Sequence, residues 1–395
     1  MDIAITGIGA ASAAGADAAA LKRGLMQPVS HFGPSTRHAV GFDISVAEAK
    51  DDAFATHEHP SLDSPTGRLC LKAAREAVSQ SLEGGGAVPD GLAFGTSTGG
   101  QSENEKAVFG LLEHRPVGDF SYRMQGCMAS PSRLVARDLN IVGPVTTIST
   151  ACTSSANAAA LGAAWIASGK CRRVLAGGGD ALCYTTLSSF HILDLTGPKT
   201  CTPFGPDRPG LTLGDGAGFL VLEPLGAVLS EGRTPLAVLR GFGMSSDAHH
   251  MTAPPEDGAG AALALRRALS SAGLTPSNIA YVNAHGTGTR LNDAAEARAV
   301  SEVLGDVPVM SCKGLIGHTL GGAGGIEAVA TVLSIQSETA FENARASVPS
   351  DDCPVRLIGK GGMRFDTEKA VISTSFAFGG NNCVLVFEAY KGGAR

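Results

Sequence analysis

Four short segments carry the side chains best suited to chemistry. The first is Val145-Thr-Thr-Ile-Ser-Thr-Ala-Cys152-Thr-Ser-Ser-Ala-Asn157, where a β-branched run leads into Cys152 and an alanine-rich stretch follows at once. A cysteine at a strand-to-helix turn meets the free N–H groups and positive end of the helix, which favour a nucleophilic thiolate. Thr153, Ser154 and Ser155 suit such a helix start. Taken alone, Cys152 also fits a buried structural thiol. The second segment is Asn283-Ala-His285-Gly-Thr-Gly-Thr289. The third is Ser311-Cys-Lys313-Gly-Leu-Ile-Gly-His318, running on through glycines to Glu327. The fourth is Ser375-Phe-Ala-Phe378-Gly379-Gly380-Asn-Asn382. A single histidine at a strand end also fits a hydrogen-bonded structural group. Together, one cysteine, two histidines and one lysine at strand ends point to several loops converging on one pocket.

The elements that must position these residues alternate. Strands are predicted at 2–6, 145–149, 173–176, 218–223, 236–240, 279–283, 307–311 and 384–387. Helices are predicted at 68–81, 154–167, 258–272, 293–304 and 324–336. Such alternation indicates an α/β fold. Residues 225–235, with Gly226, Gly232 and Pro235, form the best internal boundary, and residues 40–66 read as an irregular surface insertion. Gly7 and Gly9 after the first strand hint at a dinucleotide fingerprint, but no acidic residue closes a second strand about 20 residues on.

Composition narrows the function further. With 44% apolar and 17% charged residues, the 395-residue chain can build a large core and is not an acidic disordered segment. A net charge of −6 lacks the basic excess that a general nucleic-acid binder needs. No basic-then-apolar leader opens the sequence, and the apolar run at 156–167 is too short for a membrane span, so a cytoplasmic protein is expected. The nine cysteines contain no Cys-x-x-Cys, so neither a zinc site nor a disulfide framework is expected.

In matching order along almost the whole chain, these motifs, with Asp207-Arg208-Pro-Gly-Leu-Thr-Leu-Gly-Asp-Gly-Ala-Gly-Phe219 and Asp247-Ala-His-His-Met-Thr252, resemble the elongating β-ketoacyl-acyl-carrier-protein synthases. The resemblance implies a thiolase-like fold, five layers αβαβα built from two similar halves at 1–230 and 231–395. It implies a dimer, either of identical chains or with a ketosynthase-like chain-length partner. Cys152 would take the acyl chain from an acyl carrier protein. His285 and His318 would stabilise the enolate left when malonyl carrier protein loses CO₂. Backbone N–H groups of Cys152 and Phe378 would form the oxyanion hole. Lys313 would organise the site through Glu327, Glu296 would support the histidine loop, and Thr287 and Thr289 would hold the phosphopantetheine arm. Phe378, with Gly379 and Gly380, matches the family's aromatic gate, and residues 247–252 match the loop that packs against it. Ala377 and Asn381 depart from the family's Phe-Gly-Phe-Gly-Gly-Thr-Asn. No cofactor is implied beyond the arm that carries the substrates.

The gate sequence, with Leu291-Asn-Asp-Ala-Ala-Glu296, looks like secondary-metabolic ketosynthases of the aryl-polyene type. Glu103 and Asn104 fall where the family's acyl pocket lies; they either line it or lie at the surface. Carrier proteins are acidic, so Arg68, Lys72 and Arg75 on one predicted helical stripe, with Lys199 and Arg208, are docking candidates, each also fitting a solvated face. Three rivals share features of this pattern. A thiolase would need a second cysteine in a Cys-x-Gly motif, and a type III synthase would not need His318. A non-catalytic chain-length subunit would lose the nucleophile.

Overall fold

The computed structural model describes residues 2–114 and 124–392. Their largest sheet has eleven strands in the order Arg356–Leu357, Pro308–Met310, Ile279–Asn283, Ala370–Ala377, Asn381–Glu388, Ala237–Ser246, Ile3–Ser12, Gly216–Pro224, Val174–Asp180, Gly91–Gly95 and Val145–Ile148. The same pattern occurs twice. Setting aside Arg356–Leu357, a short extra strand that pairs parallel with Pro308–Met310 at the edge of the second half, and numbering along the chain within each half, five strands lie in the order 3-2-4-5-1, with 3, 2 and 4 parallel and 5 antiparallel to both its neighbours. The halves join where Ile3, Ala4 and Ile5 pair with Leu239, Val238 and Ala237.

Helices complete five layers. Pro65–Glu83 and Ser130–Asp138 cover the outer face of the first half, and Ala259–Ala272 and Arg290–Leu304 that of the second. Ser154–Ala167 and Ala323–Ser337 pack on each other and on strands of both halves. Those two are buried almost all round, as a central layer requires. This is the thiolase-like αβαβα arrangement.

Local chemistry explains the elements and several departures from the sequence reading. The Pro65–Glu83 helix starts earlier than predicted because Ser64 caps it, its hydroxyl accepting the Gly67 N–H, with Pro65 in the first turn. Its Ala73 and Ala77 carbonyls lie 2.0 Å from where side chains on Gly9 and Gly7 would begin. The Gly-x-Gly after the first strand therefore serves helix-on-strand packing and not a nucleotide. Residues 40–66 are not a surface insertion. Ile44, Val46, Ala53 and Leu62 are buried in the core around a short strand, Ser45–Ala47, and two 3₁₀ turns, elements too short to show a period.

Strand Val174–Asp180 runs four residues beyond its predicted end, through Gly177, Gly178 and Gly179. Glycine is a poor strand former, yet here nothing else fits. A Cβ on Gly178 would lie 1.8 Å from the carbonyl oxygen of Gly95, its partner in the parallel register. Gly178→Ala should therefore cost roughly 3 kcal/mol or more in urea unfolding, the upper range for overpacking against rigid backbone. A loss under about 1 kcal/mol would show that this contact can relax.

Candidate active site

Cys152 stands four residues past the edge strand Val145–Ile148 and two before the helix Ser154–Ala167, and is 7% exposed. Ala151 before it has φ of 50°, a left-handed conformation that costs a non-glycine residue energy and makes the turn sharp. Hydroxyls pin this elbow in place of capping the helix. Ser154 Oγ donates to the Ala151 carbonyl (2.6 Å) and accepts the Thr150 N–H (2.9 Å), while Thr153 Oγ1 donates to the Thr150 carbonyl (2.7 Å). Burial pushes the Cys152 thiol up to about 11. The Lys313 ammonium and the backbone N–H groups of Phe378 and Cys152, directed at the sulfur, act in the opposite sense.

The second half supplies the other groups. Cys152 Sγ and one ring nitrogen each of His285 and His318 all lie within 4.8 Å of one another. The two imidazoles meet edge to face, with centroids 5.2 Å apart. Lys313, 1% exposed, directs its ammonium at three acceptors: Glu327 Oε1, the His285 carbonyl (2.5 Å) and His285 Nδ1 (3.2 Å). His318 Nδ1 accepts the Leu320 N–H (3.1 Å). Each ring thus uses Nδ1 as an acceptor, which assigns the proton to Nε2 in both. Burial and the Lys313 charge hold both histidines well below their ordinary value, so both are neutral N–H donors at pH 7. Cys152, His285 and His318 are spaced as metal ligands can be. With both Nε2 atoms protonated and an ammonium beside them, the site favours an anion over a cation.

The remaining predicted residues fall into place around this centre. Glu296 accepts the N–H groups of His285 (2.9 Å) and Gly286 (2.8 Å) and the Thr374 hydroxyl (2.6 Å), so it fixes the His285 loop. Thr287 and Thr289 share a hydroxyl hydrogen bond of 2.9 Å and line the same cavity of about 390 Å³ as Cys152, His285, His318 and Phe378. Phe378 stacks on Phe190 at 5.7 Å. Gly379 and Gly380 have φ of 79° and 75°, where glycine is favoured, whereas Ala377 is extended and accommodates a side chain. The gate is tied to the 247–252 loop: Gly379 N–H donates to the Met251 carbonyl (2.7 Å), Asp247 N–H to the Gly380 carbonyl (2.8 Å), and Asn382 Nδ2 to Asp247 (2.6 Å).

Three of the sequence candidates are not placed as expected, although Arg208 does line the Cys152 cavity. Arg208 is buried and ion-pairs with Asp352 (2.5 Å), so its guanidinium is not presented for docking. Glu103 is buried beside Lys106 (2.5 Å), and neither it nor the exposed Asn104 lines the Cys152 cavity. On the helical stripe, Arg68 pairs with Asp63 (3.3 Å) and Arg75 with Asp138 (2.6 Å), while Lys72 is partly exposed; Lys199 is largely exposed, 4.0 Å from Asp207. Sequence reasoning missed Asp293, whose buried carboxylate accepts the N–H groups of Thr287 (3.0 Å), Gly288 (3.2 Å) and Phe204 (2.7 Å) and so shapes the threonine loop. An acid in the first turn after a glycine loop was the available signal.

Residues 1–227 match the family model described as beta-ketoacyl synthase, N-terminal domain, and residues 236–346 the one described as beta-ketoacyl synthase, C-terminal domain. The chain is 31% identical to 3-oxoacyl-[acyl-carrier-protein] synthase 2 of Synechocystis sp., with 98% of each chain covered. It is 33% identical to nodulation protein E of Rhizobium meliloti, again over 98% of each. Among solved structures, an ishigamide ketosynthase/chain length factor aligns with a TM-score of 0.92 at 30% identity, covering 99% of each chain. A ketosynthase in complex with its chain length factor from Xenorhabdus doucetiae aligns at 0.84 and 30%, covering 98% of each.

The electrostatics of the sulfur are testable without substrate. Alkylation of Cys152 by iodoacetamide, followed by peptide mass spectrometry, should accelerate as pH rises from 8 toward 10, because the thiolate fraction is still climbing toward a pKa of about 11. Lys313→Met removes the cation that lowers this value, so the rate at fixed pH should fall about threefold to tenfold, up to one unit of pKa. Equal rates in both proteins would remove Lys313 from the control of the nucleophile.

Proposed function

The chain belongs to the β-ketoacyl synthase family, and on that premise we propose that it is a condensing acyltransferase that extends a carrier-bound acyl chain by two carbons. The observation that carries this is the meeting of Cys152 Sγ with one nitrogen each of His285 and His318 within 4.8 Å, in a cavity also lined by Thr287, Thr289 and Phe378. Acyl transfer comes first. Cys152 attacks the thioester of an acyl carrier protein, and its proton leaves with the freed thiol of the pantetheine arm. The N–H groups of Cys152 and Phe378, already directed at the sulfur, stabilise the tetrahedral oxyanion. Malonyl carrier protein then occupies the same cavity, with its arm along Thr287 and Thr289. Loss of CO₂ leaves an enolate whose oxygen receives the two Nε2–H donors. The enolate carbon attacks the acyl-cysteine carbonyl, the C–S bond breaks, and the expelled Cys152 thiolate takes up one proton. Lys313 holds His285 through Nδ1, with Glu327 neutralising it. No cofactor enters these steps.

The rival role, a non-catalytic chain-length subunit, would have no use for an assembled nucleophile and two oriented donors, and the presence of both favours the enzyme. A carrier protein is the proposed partner for catalysis, docking through Arg68, Lys72 and Lys199. A second chain is proposed for assembly. Strand Val145–Ile148 is an outermost strand of the sheet, and among the described residues nothing pairs its free edge. Val108, Leu111 and Leu112 on helix Gln101–Leu112, and Val142 beside the strand, are exposed apolar side chains of the kind a partner covers. That partner is either an identical copy or a chain-length factor, as in the ketosynthase complex from Xenorhabdus doucetiae. The Phe-Ala-Phe-Gly-Gly-Asn-Asn gate supports an aryl-polyene type of pathway. A cytoplasmic location is proposed with it; no described helix is long and apolar enough to cross a membrane.

Purified protein given acyl and malonyl carrier proteins should release CO₂ and yield a β-ketoacyl carrier protein by mass spectrometry. Cys152→Ala should abolish both acylation and condensation. His318→Ala should lower condensation by about 10² or more, the usual loss for one oxyanion donor, while Cys152 still acylates. Carrier protein left unextended by the unaltered chain would overturn the reading. Native mass spectrometry should show a two-chain particle, which Leu111→Asp with Val142→Asp should dissociate; a single-chain particle from the unaltered protein would overturn the proposed assembly.

A further inference from the structure

Asp180 is a fully buried carboxylate that the mechanism above does not use. It ends strand Val174–Asp180 and has no ion-pair partner among the described residues. Five neutral donors hold it instead. Oδ1 accepts the hydroxyls of Thr96 and Thr98 and the Thr98 N–H (3.0 Å). Oδ2 accepts the Ser97 N–H (2.8 Å) and, from the other half of the molecule, the Gly321 N–H (2.7 Å).

That last bond reaches the histidine loop. Gly321 follows Leu320, which has φ of 52°, the left-handed conformation that side-chain-bearing residues avoid. Leu320 is nevertheless held there, and its own N–H donates to His318 Nδ1 at 3.1 Å. Two consecutive amides on either side of one strained residue are thus aimed at two acceptors, the His318 ring and Asp180. A Cβ on Gly321 would lie 2.5 Å from the Ser97 nitrogen and 2.7 Å from Asp180 Oδ2, so the approach is as close as backbone allows.

We infer that Asp180 is a positioning residue for His318: by anchoring the Gly321 amide it holds Leu320 in its left-handed state, which keeps the Leu320 N–H on Nδ1 and the proton on Nε2. This rests on the ketosynthase reading for its kinetic consequence, though not for its structural one. Asp180 touches no substrate. Without an acceptor at Oδ2, Leu320 can relax to negative φ, its N–H leaves the ring, and either tautomer becomes available. The Nε2–H donor is then lost for part of the population at the moment the enolate forms. Acyl transfer, which uses the N–H groups of Cys152 and Phe378, does not depend on this proton.

Asp180→Asn places an amide donor among five donors and tests the link. Decarboxylation of malonyl carrier protein should fall about tenfold to a hundredfold, somewhat less than full removal of one oxyanion donor. Single-turnover acylation of Cys152 should not fall: the Asp180 charge is one of the causes that push the Cys152 thiol up, so its removal favours the thiolate. In ¹⁵N-histidine spectra, His318 should show one protonated Nε2 and one bare Nδ1 in the unaltered protein, and a tautomer mixture in the variant. Leu320→Gly, which makes the left-handed state free of strain, should restore part of the loss in the Asp180→Asn background. Should Asp180→Asn not fold, Thr96→Val with Thr98→Val removes two of the five donors and should give the same split at a smaller, threefold to tenfold, size. An equal fall in both steps, or an unchanged His318 tautomer in a folded variant, would overturn the inference. Absence of decarboxylation by the unaltered protein would sink the ketosynthase reading alone, because the tautomer measurement needs no turnover.

Discussion

The buried ammonium of Lys313 is the charge around which the site is organised. A cation at 1% exposure costs several kcal/mol unless it is paired and hydrogen-bonded. An ammonium has three protons, and three acceptors meet them: one Glu327 oxygen, the His285 carbonyl and His285 Nδ1. Each acceptor is thereby fixed in turn. Glu327 must lie in the central helix Ala323–Ser337, His285 must keep its proton on Nε2, and the strand end that carries His285 must sit beside the loop that carries Lys313. The same charge disfavours protonation of both histidines and acts on the Cys152 thiol in the opposite direction to burial. Burial is the larger cause of the neutral imidazoles, and this one ion adds to it while making the thiolate more accessible.

The repeated 3-2-4-5-1 sheet explains how these residues come together from distant parts of the chain. In the first half, the third strand leads to Cys152. In the second half, the third strand, Pro308–Met310, leads to Lys313. The second strands end at Thr96–Thr98 in one half and at His285 in the other. The fourth strands end at Asp180 and just before Phe378. Equivalent strand ends carry different chemistry: nucleophile against ammonium, carboxylate clamp against gate. The repeat supplies the convergence, and divergence at six loop positions supplies the reaction. Elements just after the third strand in each half, Ser154–Ala167 and Ala323–Ser337, form the shared middle layer, so neither half could bury its share of the site alone.

Residues that bear chemistry are legible in the sequence because they cluster at strand ends beside glycines, where a local pattern of six to ten residues is enough. His285, Lys313 and His318 announce themselves in this way, and Cys152 does so by the β-branched run before it and the alanine-rich helix after it. Strand Val174–Asp180 is read short because Gly177, Gly178 and Gly179 interrupt it, a choice imposed on Gly178 by the Gly95 carbonyl and on Gly177 by the Gly218 carbonyl across the sheet and invisible to local propensity. Residues 40–66 read as surface because their apolar side chains are buried one at a time in short elements, without a period. Arg208 reads as a docking cation because nothing in the sequence announces Asp352, 144 residues away, as its partner. Asp180 is hidden for the same reason, since its donors at Thr96 to Thr98 and Gly321 lie 82 to 141 residues away, whereas Asp293 sits beside its Thr287 and Gly288 partners and the glycine loop was its signal. Helical periodicity and strand ends are local facts, whereas hydrogen bonds that hold a loop are long-range ones.

The two sets of anion donors are separate, and that separation is what a two-step condensation needs. Backbone N–H groups of Cys152 and Phe378 face the sulfur, while the Nε2–H groups of His285 and His318 come from the other half. In the proposed cycle, negative charge develops first on the oxygen of the acyl thioester and later on the oxygen of the malonyl-derived enolate. Both species are present when the carbon–carbon bond forms, so one shared hole could not serve them. Dividing the donors also divides their control. The Phe378 N–H belongs to the gate, whose backbone is tied to the 247–252 loop through Met251 and Asp247, so any gate movement also moves a donor of the first hole. The histidine donors hang instead on Lys313 and on the Leu320 amide. In the proposed cycle, a movement of the Phe378 segment would disturb the first hole and leave the second preorganised for the enolate.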